Sequence, residues 1–261
     1  MTPSQDDKAV ERSRYDAIAQ DLLARARDTA TVAAGSGSAS VPAIYRRPYL
    51  WWEQCVRGVI RPGQSVLELG SGTGAHTRAL LDVGARVTAT DISISSLEVL
   101  THNVGRVEAG LLQTRVADIE ALPFANASFD VVTCAGSLSY GDPALVDAGV
   151  LRVLKPGGAF ICVDSLNHNP LYRLNRWMHF IRGERTRSTL LRMPTAARIA
   201  SIAGHFSEST VRYFGAISWA MPVVARLVGE TRAATMSDRW DDRFHTERSA
   251  FKFVLVAQGR R

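Results

Sequence analysis

Two rhythms of apolar and polar positions alternate along this chain. Short apolar or β-branched runs, "SVLELG", "RVTATD", "LQTRVAD", "FDVVTCAGS" and "AFICVDS", read as strands. Helical patterns fall between them: one from about Ala75, one through "SSLEVLTHNV" and one ending near "LRVLKPGG". This β-α alternation predicts a doubly wound α/β fold, and "ESTVRYF" and "AFKFVLVAQ" bring the mostly parallel sheet to seven strands. The rhythm breaks between Ser165 and Phe206. There "PLYRLNRWMHFIRG" sets Leu171, Leu174, Met178 and Ile181 along one stripe, and Thr195 offers an N-cap to "TAARIASIAGHF". Residues 165–205 are therefore expected to be a helical insertion after strand 5.

Upstream, residues 10–30 carry a helical pattern with Ile18 and Leu22 on one face, running into the hinge-like "AAGSGSAS". The aromatic-rich "AIYRRPYLWWEQCVRGVI" is helical toward its end and is closed by Arg61-Pro62-Gly63. Residues 1–60 are expected to form an N-terminal helical arm or lid, and residues 61–261 the main domain.

Composition narrows the class. A hydrophobic content of 46 % over 261 residues supports a full core, and no apolar run is long enough for a membrane span or a secretory signal. A cytoplasmic protein is expected. Cys55, Cys134 and Cys162 have neither metal-ligand nor disulfide spacing, and read as small buried apolar residues. The net charge of +6 is uneven: residues 61–164 hold 7 Lys/Arg against 11 Asp/Glu, and residues 165–261 hold 16 against 7. A local basic surface fits this better than a uniformly basic nucleic-acid binder does.

The candidate chemistry centres on "VLELGSGTGAHTRAL". Gly70, Gly72 and Gly74 between a strand and a helix form a nucleotide-type, Rossmann-like loop whose free N–H groups face a ligand. Read as G-x-G-x-x-A, the loop alone leaves NAD and a dehydrogenase open. Glu68, two residues before the first glycine, would crowd a pyrophosphate but suits a cationic ligand. Asp91 closes the next strand, in position to accept from ribose hydroxyls, and Asp118 follows the third strand, placed to meet an adenine amine.

"ELGSGTG", "TATD", "ADIEALPFANASFDVV" and "LRVLKPGG", in this order over about residues 60–165, resemble the class I S-adenosylmethionine-dependent methyltransferases. The likeness is to the small-molecule branch that includes the quinone-biosynthesis enzymes, and "RYDAIAQ" is similar to that branch's lid segment. The resemblance implies S-adenosylmethionine as cofactor. It places Gly70, Ser71 and Gly72, in the loop closed by Gly74, against the amino-acid end, and Asp91 with Ile92 on the ribose. Asp118 and Ile119 fall on the adenine, and Glu68 acts through the loop or near the methionyl amine. "CAGSLSY", which contains Cys134 and Tyr140, lines the sulfonium and the substrate.

Because the cofactor is already an activated electrophile, the protein's task is placement, exclusion of water and help with the acceptor's proton. His168, just after the fifth strand, is the expected general base, its alternative being to cap or order a following helix; Tyr140 and Asp142 come next. His76 reads as solvent-facing or cofactor-adjacent. Carboxylates placed to gather a metal are scarce, with only Asp164, Ser165 and Asn167 approaching such a pattern, so a metal-free mechanism is expected. The expected reaction is O-methylation of a hydroxyl on an anionic or sugar-containing metabolite, with a homodimer compatible with the sequence. A nucleic-acid methyltransferase is the alternative within the class, disfavoured because "CAGSLSY" stands where an Asn/Asp-Pro-Pro-aromatic motif would be needed. An inactive, cofactor-binding partner subunit is the alternative outside it. The insertion, with seven arginines against Glu184, is expected to roof the acceptor pocket, and "RGERTR" to clamp an anion.

Overall fold

The computed structural model describes residues 5–29, 37–105, 110–181, 186–244 and 247–261. Arg182, Glu184, Arg185 and His245, and with the first three most of the expected anion clamp, lie outside these residues. The apolar runs become seven strands: β1 (Ser65–Leu69), β2 (Arg86–Asp91), β3 (Leu112–Val116), β4 (Phe129–Ala135), β5 (Leu154–Ser165), β6 (Phe206–Phe214) and β7 (Lys252–Arg260). They form one sheet in the order β3-β2-β1-β4-β5-β7-β6, with β7 antiparallel to both of its neighbours. The order reverses between β1 and β4, so a crevice opens beyond their carboxyl ends.

The helices on this frame are α1 (Gln5–Thr29), α2 (Ala43–Val59), α3 (Thr77–Leu81), α4 (Ile94–Val104), α5 (Pro143–Val153), α6 (Pro170–Ile181), α7 (Arg187–Leu191), α8 (Ala196–Ala203), α9 (Met221–Val228) and α10 (Glu230–Arg243). Local chemistry starts several of them. The Ser93 hydroxyl accepts from the Ser96 N–H, the Asp142 carboxylate caps α5 ahead of Pro143, and Thr195 accepts from the Arg198 N–H, as its sequence position predicts. No helix among the described residues is long and apolar enough to cross a membrane.

Two apolar layers bury the sheet. Trp52 and Val56 of α2 join Leu80, Leu97 and Leu100 on one face, while Val146, Val150, Ile199 and Ile202 cover the other. The expected boundary at residue 60 therefore cuts through the core: α2 is a covering helix of the sheet, while α1 lines the crevice together with Ser188 and Thr189 of α7. The stripe on α6 is also turned the other way. Leu171, Leu174, Met178 and Ile181 are 40 % to 61 % exposed, and α6 turns Tyr172 and Arg176 inward.

Candidate active site

At the carboxyl ends of β1 and β4, a cavity of about 190 Å³ lies between the glycine loop and α1. Its floor includes Gly70, Gly72, Asp91 and Ile92, with Asp118 and Ile119 at one end and Gly136 and Tyr140 at the other. The loop must bend sharply to leave β1, and Gly70 and Gly72 do so at φ of 60° and 53°. Asp91 then fastens it: one carboxylate oxygen accepts from the Gly72 N–H at 2.9 Å and the other from the Ser93 N–H at 2.9 Å. Burial, with Asp16 adding repulsion, pushes the Asp91 carboxyl above its usual range, against the pull of these N–H groups.

Not every expected residue reaches this cavity. Ser71 turns back to the sheet, its N–H and hydroxyl both donating to the Thr90 carbonyl. Gly74 packs against Leu100 of α4, where a Cβ would stand 2.8 Å from Leu100 Cγ, so its role is close packing of loop on helix. Cys134 is fully buried within β4, with its sulfur 3.0 Å from the Ser137 hydroxyl and behind the cavity wall. Glu68 lies beneath the loop and accepts from the Thr77 hydroxyl at 2.7 Å, tying β1 to the first residue of α3.

Glu68 carries a pH signature. Burial pushes its carboxyl up to about 8, with the Thr77 hydroxyl pulling the other way and Asp91 pushing it further. The folded protein keeps this proton between the ordinary value of 4.5 and about 8, a range in which the unfolded chain has lost it. Stability from this group is thus fully present at low pH and is eroded as pH rises through that window. Glu68→Gln, which mimics the protonated acid, is expected to flatten that decline. Melting curves from pH 5 to 8.5 that fall in parallel for both proteins would contradict it.

His168 lines neither this cavity nor the second one that lies past Tyr140. Its Nε2 accepts from the Ala196 N–H at 3.0 Å and so caps α8, while Asn169 caps α6 by accepting from the Leu171 N–H at 2.9 Å. The lone pair that a general base needs is already committed to a helix terminus. His168→Ala is expected to cost about 1 kcal/mol of stability, as lost caps do, with no change in turnover at saturating substrate. A melting temperature unchanged alongside a collapsed turnover would restore the catalytic role. His76 is not solvent-facing either: it stacks on Tyr49 at 4.9 Å and meets the Trp52 edge at 5.5 Å, and burial lowers it to about 4. It stays neutral at physiological pH and braces Tyr49.

The roof supplies groups that the sequence reading missed. Lys8 of α1 pairs with Asp118 at 2.5 Å and Glu120 at 2.6 Å, and Arg192 joins Glu120 at 3.3 Å, closing the Asp118 end. The Asp16 carboxylate accepts from the Ser93 hydroxyl, and the Tyr15 and Tyr140 hydroxyls meet at 2.5 Å. Tyr15 and Asp16 belong to the "RYDAIAQ" segment, the one signal that could have found them.

Past Tyr140 a second cavity, of about 240 Å³, shares Ala135, Gly136, Tyr140 and Thr189 with the first. Tyr49, Asp164, Arg176 and Lys252 also line it. Asp164 is 1 % exposed and its oxygens accept from the Leu138 and Ser165 N–H groups; burial, against the pull of Lys252, raises its carboxyl above the usual range.

The geometry can be set beside known proteins. Residues 67–162 match the family described as "Methyltransferase domain". A demethylmenaquinone methyltransferase of Renibacterium salmoninarum is 36 % identical over 104 residues, 40 % of this chain and 42 % of that protein. A ubiquinone biosynthesis O-methyltransferase of Albidiferax ferrireducens is 34 % identical over 110 residues, 41 % of this chain and 43 % of its own length. The chain thus spans less than half the length of these relatives. Among solved structures, the [4+2]-cyclase SpnF superposes with a TM-score of 0.58 at 16 % identity, covering 99 % of this chain and 98 % of its own, a likeness of fold alone. The motif match from β1 to β5, the strand order and the glycine loop pinned by Asp91 together make residues 67–162 a class I S-adenosylmethionine-dependent methyltransferase domain.

Proposed function

We propose that this protein transfers the methyl group of S-adenosylmethionine to a hydroxyl of a small molecule, an anionic or sugar-containing metabolite. The observation that carries this reading is the wall at Tyr140, where the cofactor-type cavity and a second, polar one share Ala135, Gly136, Tyr140 and Thr189. Adenine at Asp118 and Ile119 and ribose at Asp91 would direct the sulfonium toward Gly136 and Tyr140. The acceptor then lies beyond, in line with the departing methyl. The relatives' names do not fix the nucleophile, since O- and C-methyltransferases both occur among them.

The walls favour oxygen. Burial keeps the Tyr15 phenol protonated, so Tyr15 can donate to Tyr140 and leave the Tyr140 O–H to orient an acceptor hydroxyl. Asp164, the one carboxylate among the described residues that line the second cavity, is the group proposed to take the proton in place of His168. S-adenosylmethionine labelled in its methyl group, incubated with hydroxy acids, sugar acids and sugar phosphates, is expected to yield a labelled methyl ether. Asp164→Asn is expected to slow that transfer by about two orders of magnitude or more. Label recovered in nucleic acid would favour the base-methylating alternative. Cofactor binding without transfer to any acceptor would favour the inactive subunit.

A further inference from the structure

We infer that Lys252, with Arg176 beside it, forms an oxyanion subsite that holds a carboxylate or phosphate group of the acceptor; this rests on the methyltransferase reading above. Sheet topology delivers the lysine. Because β7 runs antiparallel, its first residue arrives at the carboxyl ends of the parallel strands, with Lys252 paired in register with Ser165 of β5. Lys252 is 7 % exposed. Its ammonium is 3.4 Å from the Ser165 hydroxyl and lies over the Tyr49 and Phe251 rings at 5.0 and 5.4 Å.

No carboxylate among the described residues comes within ion-pair distance of this ammonium, whereas Lys8 has Asp118 and Glu120, Arg192 has Glu120 and Arg198 has Asp147. Asp164 shares the cavity, but both of its oxygens are held by backbone N–H groups. A buried ammonium that faces a cavity, with a hydroxyl and two ring faces beside it and Asp164 acting on it only from beyond ion-pair distance, lacks a direct counter-ion, and the cavity has room for one. Arg176 adds a second positive group to the same wall, its guanidinium resting over Phe251 and donating to the Leu166 carbonyl. The proposed anion site lies on α6 and β7. An acceptor gripped there would present its hydroxyl toward Tyr140 at the other end of the cavity.

Inorganic phosphate and sodium benzoate, titrated separately by calorimetry into the wild-type protein with and without saturating S-adenosylhomocysteine, test this directly. Binding is expected for at least one of the two, and which one it is separates phosphate from carboxylate acceptors. Lys252→Met should weaken it by about tenfold or more, Lys252→Arg should largely retain it, and the affinity for S-adenosylhomocysteine should be the same in all three. If the Met variant does not fold, labelling of wild-type Lys252 by trinitrobenzenesulfonate, read by peptide mass spectrometry, should be slowed by the bound anion. Anion affinity unchanged in Lys252→Met, labelling unaffected by either anion, or a loss confined to S-adenosylhomocysteine would overturn the subsite, the last by assigning Lys252 to the cofactor's own carboxylate. Failure of the wild type to bind S-adenosylhomocysteine at all would instead remove the methyltransferase reading, while the anion titrations without cofactor still judge the subsite.

Discussion

Asp91→Ala is expected to weaken S-adenosylhomocysteine binding by about one to two orders of magnitude. Two losses combine. Ribose hydroxyls that donate to a carboxylate would be left to water, a loss expected to cost about 1.5–3 kcal/mol in all. The same carboxylate pins the glycine loop to the start of α4 through the Gly72 and Ser93 N–H groups, so its removal also frees the loop that forms the cavity floor. Asp91→Asn separates the two, since its amide oxygen can hold one N–H but its NH₂ cannot accept. Calorimetry is the readout, and an affinity unchanged in Asp91→Ala would take this residue out of the cofactor's contacts.

Gly70→Ala is the second large effect, and it is expected to lower both the melting temperature and cofactor affinity more than Gly72→Ala does. Both glycines have left-handed φ, so an alanine at either costs about 1–2 kcal/mol of backbone strain. At Gly72 nothing lies within 4 Å of an added Cβ, so the cost ends there. At Gly70 the Cβ would stand 2.5 Å from Ser137 Cβ and 2.8 Å from its Oγ. That hydroxyl donates to the Leu69 carbonyl at 2.8 Å and joins the ends of β1 and β4, so it cannot move aside freely. Overpacking of this kind adds about 1–3 kcal/mol, and each kcal/mol shifts the midpoint of a chain this long by about 2–4 °C. Equal midpoints for the two variants would show that the β1–β4 junction yields more easily than this contact implies.

The strands and the glycine loop were legible because their signals are local. A buried parallel strand is a continuous apolar run, and a loop that must take φ > 0 shows its glycines. Asp91, Asp118 and Tyr140 could be placed at the crevice for the same reason, since Asp91 ends β2, Asp118 stands two residues past β3 and Tyr140 five past β4. What escaped was set by packing between distant segments. The apolar stripe of α6 reads as an inward face, yet the structure turns Tyr172 and Arg176 inward, with Tyr172 against Phe251 at 4.4 Å and bonded to the Ser218 hydroxyl. His168 looked like a base because of where it stands in the chain. Only the fold reveals that the Ala196 N–H, 28 residues away, claims its nitrogen. Lys252 opens a strand pattern in the sequence, and nothing local says that β7 runs antiparallel and so brings that end to the site. Helices α9 and α10 gave no clear signal between the last two strands, although α10 packs on α2 and holds Arg47 through Asp242.

A crystal structure of the protein with S-adenosylhomocysteine bound is the most direct measurement of the central claim. The account predicts adenine between Asp118 and Ile119, with the Lys8 contact to Asp118 rearranged to admit it. It also predicts ribose hydroxyls on Asp91 and the sulfur beside Gly136, facing Tyr140 and the cavity of Arg176 and Lys252. A ligand bound with its sulfur turned away from Tyr140, or lying outside the crevice between β1 and β4, would contradict it.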